Sequence, residues 1–220
     1  MTQPPVAERR PHAVTYHGVT LDDPWAWLRD PGYPTVTDAS VLAYLNAEND
    51  WFNAWAKPRK AQIDALTAEL RGRIVEDDAS VPARDGAYDY WWRFETGGQY
   101  RLWLRRPAGG GDEQLILSEP ALAEGHDYFR LGGLTVSPDG RLLAYATDCD
   151  GSERFALKVR DIASGADIAT IATNTIGAPV WAADSSALAW TEVDERWRPW
   201  RVRLHRLGQG GDDAVLFEEA

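Results

Sequence analysis

Eight serines, four histidines and one cysteine are the side chains of this chain that could attack or deprotonate a substrate. None stands in a pattern that such chemistry requires. A nucleophilic serine on a strand-to-helix elbow needs G-x-S-x-G, whose glycines allow the sharp turn, and no such run occurs. Ser137 and Ser185 stand in polar turns, where a short hydroxyl side chain ordinarily caps its own backbone. His12, His17, His126 and His205 are scattered, without H-E-x-x-H or another ligand spacing, which predicts structural roles for all four. "DCDGSERFALKV" (148–159) opens like a calcium loop, with Asp148, Asp150 and Ser152 at positions 1, 3 and 5. Glu153 then replaces the glycine of position 6 and Val159 the bidentate glutamate of position 12, so the stretch reads as an Asp150-Gly151 hairpin turn. "GGLTVSPDG" (132–140) lacks the lysine of a phosphate loop. Cys149, the single cysteine, cannot form an internal disulfide and reads as a small buried apolar group. The expectation is therefore no catalytic, cofactor-binding or metal-binding residue in the chain, and no cofactor.

The elements that would carry these residues divide into two parts, a helical segment over 1–73 and a β-rich segment over 74–220. From Asp38 to Ala56, apolar residues at Val41, Leu42, Leu45, Phe52 and Trp55 paint one helical face, with Asp38 as the N-cap. A second helix takes Pro58 in its first turn, carries Ile63, Leu66 and Leu70 as a stripe, and stops at Gly72. "DDPWAWLRDPGYP", before them, predicts an ordered loop that packs Trp25, Trp27 and Leu28 onto an apolar surface.

After Arg73 the period becomes two. Tyr88, Tyr90, Trp92 and Phe94 alternate with Asp89, Trp91 and Arg93; Gly97-Gly98 turns the chain, "QYRLWLRR" returns, and "GGGDEQLILSE" adds a loop and a third strand. Further on the sequence repeats at an offset of 45 residues, which lays "VSPDGRLLAY" (136–145) on "WAADSSALAW" (181–190). Asp139 meets Asp184, Leu143 meets Leu188, Tyr145 meets Trp190, "VRDI" meets "LHRL" (204–207) and Gly165 meets Gly210. A recurring unit of four antiparallel strands at this length is a β-propeller blade. An evenly spaced β-sandwich is the competing arrangement, but it gives no reason for two different hairpins to recur at one spacing. Of Trp181, Trp190, Trp197 and Trp200, alternate members are expected to fill the space between neighbouring sheets. About three blades are present where propellers carry four to eight. Either the sequence is a fragment of a longer protein or it assembles with copies of itself as a stand-alone binding module.

Composition narrows the partners. A formal charge of −11 and 34 acids against 23 bases disfavour a nucleic-acid groove. Nine of those acids and eight of the bases lie at or before Arg73, leaving 25 and 15 after it, so the acidity belongs to the β-rich part. The opening "MTQPPVAERRPHAV" has no apolar h-region and no run spans a bilayer, which predicts a cytoplasmic protein with no membrane partner.

"PHAVTYHGVTLDDPWAWLRD", "VLAYLNAEND" and "GAYDYWWRFETGGQYRLWLRR", taken in order, resemble the N-terminal part of the prolyl oligopeptidase family, and most of all its oligopeptidase B branch. Asp23-Pro24-Trp25-Ala26-Trp27-Leu28 corresponds to that family's D-P-Y-x-W-L type segment, and Tyr44 to Asn49 to its Y-x-x-x-E-N helix motif. The resemblance implies a cytoplasmic serine endopeptidase in which a seven-bladed propeller caps an α/β-hydrolase domain, admits short peptides and excludes folded proteins. For oligopeptidase B it implies cleavage after Lys or Arg; a Pro-cleaving relative would share this architecture. It also implies that the catalytic residues lie in a C-terminal domain absent here, onto which residues 1–73 dock, so that these 220 residues alone are inactive.

Overall fold

The computed structural model describes residues 3–33, 35–209 and 212–219, and these form two compact units, Met1–Ile74 and Val75–Ala220. The expected match of Gly165 with Gly210 falls on a residue outside the described ones.

The first unit begins with a short hairpin, β1 (Ala13–Tyr16) against β2 (Val19–Asp22). His17 and Gly18 turn it with φ of 50° and 80°, the paired left-handed geometry that suits the twist of a two-residue hairpin. A 3-10 turn over Ala26–Leu28 follows. Helix α1 (Ala39–Ala56) starts where the Asp38 carboxylate accepts the Ser40 and Val41 N–H groups, at 2.8 and 3.0 Å. No glycine or proline interrupts it. Pro58 lies in a 3-10 turn, Lys57–Arg59, and α2 (Lys60–Arg71) begins beyond it; a ring without an N–H breaks the α-helical ladder between the two.

In the second unit, β3 (Ala83–Asp85), β4 (Tyr88–Phe94), β5 (Arg101–Pro107) and β6 (Gln114–Ser118) pair in chain order as an antiparallel meander, followed by the short α3 (Glu119–Ala123) capped by the Ser118 hydroxyl. A second meander comprises β7 (Arg130–Val136), β8 (Leu142–Asp148), β9 (Phe155–Asp161) and β10 (Asp167–Thr175). A third comprises β11 (Val180–Trp181), β12 (Ala187–Val193), β13 (Pro199–Arg206) and β14 (Ala214–Glu218). A single residue pair, Thr175 with Glu192, joins the last two meanders into one curled sheet.

The 45-residue repeat is written in the backbone. Ser137 donates to Leu142 at 2.8 Å and Ala182 to Ala187 at 2.9 Å; Gly140 donates to Ser137 at 2.8 Å and Ser185 to Ala182 at 2.9 Å; Ile162 donates to Arg141 and Leu207 to Ser186, both at 3.0 Å. Gly140 takes a φ of 74° without strain, whereas its counterpart Ser185 adopts 62°, a conformation that costs a residue with a Cβ. The Ser185 hydroxyl offsets that cost by accepting the Asp139 N–H at 3.1 Å, linking the second meander to the third.

Strand β8 explains where the core sits. Its odd residues Leu143 and Tyr145 pack with Ile116, Leu117 and Trp103 of the first meander, and its even residues Ala144 and Ala146 pack with Leu188 and Trp190 of the third. Both faces are buried, so "LLAYATD" reads as a nearly continuous apolar run instead of a clean alternation. The polar Tyr145 hydroxyl is satisfied there: it donates to Asp167 at 2.7 Å, and Arg160 bonds the other Asp167 oxygen at 2.7 Å.

Candidate functional site

The residue types capable of chemistry do not converge. The Ser137 hydroxyl accepts the Leu142 N–H at 2.9 Å and donates to Asp139 at 2.6 Å, fixing its own turn, and Ser185 bonds the same loop. His12, His17 and His126 are exposed. His205 differs, because its Nδ1 lies 2.7 Å from an Asp213 oxygen whose partner oxygen accepts the Trp190 Nε1–H at 2.8 Å. That contact crosses the β13–β14 hairpin, and only the strand register could have disclosed it. Among the described residues, no serine bonds a histidine and no three His, Cys, Asp or Glu side chains gather to hold a metal ion.

The loop that opens like a calcium site spends its carboxylate on its own backbone. Asp148, only 1% exposed, accepts the Asp150, Gly151 and Glu153 N–H groups at 3.0, 2.9 and 2.8 Å. Glu153 adopts a φ of 59° within that turn. Cys149 beside it is partly buried. The four tryptophans of the third meander divide. Trp181 and Trp190 pack between meanders, and Trp181 Nε1 donates to Thr135 C=O at 3.2 Å. Trp197 is an exposed clasp whose indole donates to Ser152 C=O at 2.5 Å while Arg154 stacks 4.5 Å from its ring. Trp200 lies under Arg201 at 3.7 Å.

In the first unit, Asp30 is the organising anion. N–H groups of Asp38, Gly32 and Thr37 converge on its carboxylate and hold it below the usual carboxylate range. Arg9 stacks over Trp25 at 4.9 Å and Arg10 over Trp27 at 4.1 Å, and the Trp27 indole donates to Glu8 C=O, so the N-terminal stretch partly covers the two tryptophans. The helices stay largely open: of the α1 stripe Val41 alone is buried, while Leu42, Leu45, Phe52 and Trp55, and Ile63, Leu66 and Leu70 on α2, are exposed. The end of the third meander is open too, with Val215, Leu216 and Phe217 about half exposed or more. One cavity of about 400 Å³ lies between the first and second meanders, bounded by Trp103, Glu119 and the 130–134 stretch of β7.

Three consecutive four-stranded meanders, the last two repeating at 45 residues and the first packed on the second through β8, whose two faces are both buried, define a propeller-type β domain that follows a helical segment in the chain. The family description "Prolyl oligopeptidase, N-terminal beta-propeller domain" matches residues 4–220, and the chain belongs to this family of serine peptidases. It is 35% identical to the dipeptidyl aminopeptidase BI of Pseudoxanthomonas mexicana over 98% of its own length and 32% of that protein's. The structure of oligopeptidase B from Leishmania major superposes with a TM-score of 0.84 at 28% identity, covering 99% of this chain and 33% of that one. Oligopeptidase B from Trypanosoma brucei, with covalently bound antipain in a closed form, gives 0.82 at 28%, covering 99% and 32%. The chain thus spans about a third of the length of the proteins it matches.

No described helix is long and apolar enough to cross a membrane.

Proposed function

We propose that this chain is the docking segment and the first three blades of a seven-bladed propeller in a cytoplasmic, oligopeptidase B-like serine endopeptidase that cleaves short peptides after Lys or Arg. The observation that carries this reading is a coincidence of coverage and exposure. The chain is matched over nearly its whole length while filling a third of each relative, and its helices and last sheet present bare apolar side chains. Soluble proteins rarely leave such patches open unless something covers them. In this reading a C-terminal α/β-hydrolase domain covers α1, α2 and Trp25, and a fourth blade covers Phe217. The propeller then acts by exclusion, admitting extended short peptides to a serine attacked-carbonyl site whose histidine base and orienting acid lie outside these residues. The acidic excess after Arg73 draws basic peptides towards that entrance over long range.

The 35% identity to a protein named dipeptidyl aminopeptidase favours a second reading, release of dipeptides from a free amino terminus. One assay separates the two. The protein at its natural length is given Lys-, Arg- and Pro-containing peptides with free and acetylated amino termini. Internal cleavage after Lys or Arg regardless of acetylation supports the first reading, dipeptide release abolished by acetylation supports the second, and cleavage only after Pro rejects both. The 220 residues alone should hydrolyse none of them.

A further inference from the structure

Glu119 is 7% exposed, an unusual place for a carboxylate, and the only hydrogen bond it makes among the described residues is one from the Trp103 indole, at 2.7 Å. The β5–β6 ladder ends where Leu102 faces Ser118, and the next residue on each side, Arg101 and Glu119, lines the same cavity. Yet no ion pair forms between them. Arg101 instead lies over Trp92 at 4.4 Å and Phe94 at 5.7 Å. Arg130, the other cation at this place, is held by Glu153 at 2.9 Å. A buried carboxylate served by one neutral donor has lost most of its hydration without gaining a counter-ion, and a cation beside it recovers that loss. Glu119 also lines the cavity of about 400 Å³, whose wall includes Arg101 and Arg130 as well as Tyr100, Trp103 and Phe129, with Tyr100 and Phe129 packed edge to face at 5.4 Å. Aromatic faces around a carboxylate are the ordinary surroundings of a bound ammonium or guanidinium group.

We propose that this cavity between the first two meanders is a binding site for an ammonium or guanidinium group carried on a short apolar stem, with Glu119 as its counter-ion and Tyr100, Trp103 and Phe129 as the wall around the stem. Two sources share this chemistry, a Lys or Arg side chain and the amino terminus of a peptide. The proposal rests on the cavity and does not depend on the peptidase reading.

The test titrates the protein at its natural length, by ligand-observed NMR, with three probes: N-acetyl-lysinamide, leucinamide and N-acetyl-leucinamide. The readout is the difference between wild type and Glu119→Gln, so cation sites elsewhere cancel. The glutamine keeps an oxygen for the Trp103 N–H and removes only the charge. At least one cationic probe should bind in the millimolar range or tighter and weaken tenfold or more in Glu119→Gln, while the neutral probe is unaffected and Glu124→Gln, an exposed acid at the end of α3, changes nothing. Loss confined to N-acetyl-lysinamide assigns the site to side chains; loss confined to leucinamide assigns it to amino termini. If Glu119→Gln does not fold, Tyr100→Ala should weaken the cationic probe about threefold. Equal binding to wild type and Glu119→Gln, or an unchanged Tyr100→Ala, overturns the proposal.

Discussion

Phe217→Ala tests whether the third meander leans on a neighbour. The register sets Phe217 opposite Val202, and Val202 opposite Thr191, so the ring lies on the face turned away from Leu188 and Trp190. It is 61% exposed. A phenylalanine side chain buries roughly 200 Å² when fully covered, so about 120 Å² remains open here, and at about 25 cal/mol per Å² covering it would stabilise by about 3 kcal/mol. If the ring stays open, its truncation costs no more than about 1 kcal/mol; if another sheet closes over it, the cost rises to about 3–5 kcal/mol, as for other large buried side chains. Leu143→Ala, at a position 0% exposed between the first two meanders, supplies the internal standard at about 3–5 kcal/mol. Urea titration of the natural-length protein, followed by tryptophan emission, should show Phe217→Ala and Leu143→Ala shifting the midpoint by similar amounts. A Phe217→Ala midpoint within error of wild type, beside a clear Leu143→Ala shift, would refute the stacking argument.

Three further outcomes follow from the geometry. Burial alone would push the Asp167 carboxyl up, but the hydrogen bonds from Arg160 and Tyr145 outweigh it and hold the carboxyl below its ordinary value. The ionised form is therefore favoured by folding: this contribution is fully present above the unfolded carboxyl value near pH 4 and disappears as pH falls through the lower folded value. Asp167→Asn should accordingly flatten the fall of urea midpoints as pH drops below about 4. Asp148→Ala strands three backbone N–H groups and should cost at least about 2 kcal/mol by thermal or urea melting, and added calcium should leave the wild-type melting temperature unchanged. If the proposed cleavage of basic peptides holds, its rate constants in the natural-length protein should fall as salt rises from about 0.01 to 0.15 M, where the Debye length shrinks from about 30 to 8 Å; rates indifferent to salt would remove the proposed steering.

Much of this architecture was readable because propeller sheets repeat their constraints. Leu143 and Leu188, or Asp139 and Asp184, fall at one offset because equivalent turns and strands must meet equivalent neighbours, and the matched backbone hydrogen bonds are the outcome. Asp38 was legible as a cap because a carboxylate before a glycine-free apolar run has one favourable local use. The hairpin over 13–22 was not legible, since His17 adopts a positive φ that its residue type does not announce. Nor was α3, whose five residues are too few for any periodicity to show. Glu119 was invisible for a different reason. An acid after a strand ordinarily faces water, and its burial depends on β5, β7 and α3 meeting across a gap that no local spacing encodes. The apolar stripes of α1 and α2 are legible from their spacing, but a stripe does not say which of its members are covered, and Val41 is buried while the rest stay exposed.

Hydroxyl-radical footprinting of the natural-length protein, read at Phe217 against buried Tyr145 and exposed Trp197, is the most direct measurement. Wedges of a closed ring predict oxidation of Phe217 as slow as that of Tyr145, relative to free amino acids. Oxidation as fast as that of Trp197 would mean that nothing leans on the third meander, and that the ring is not built.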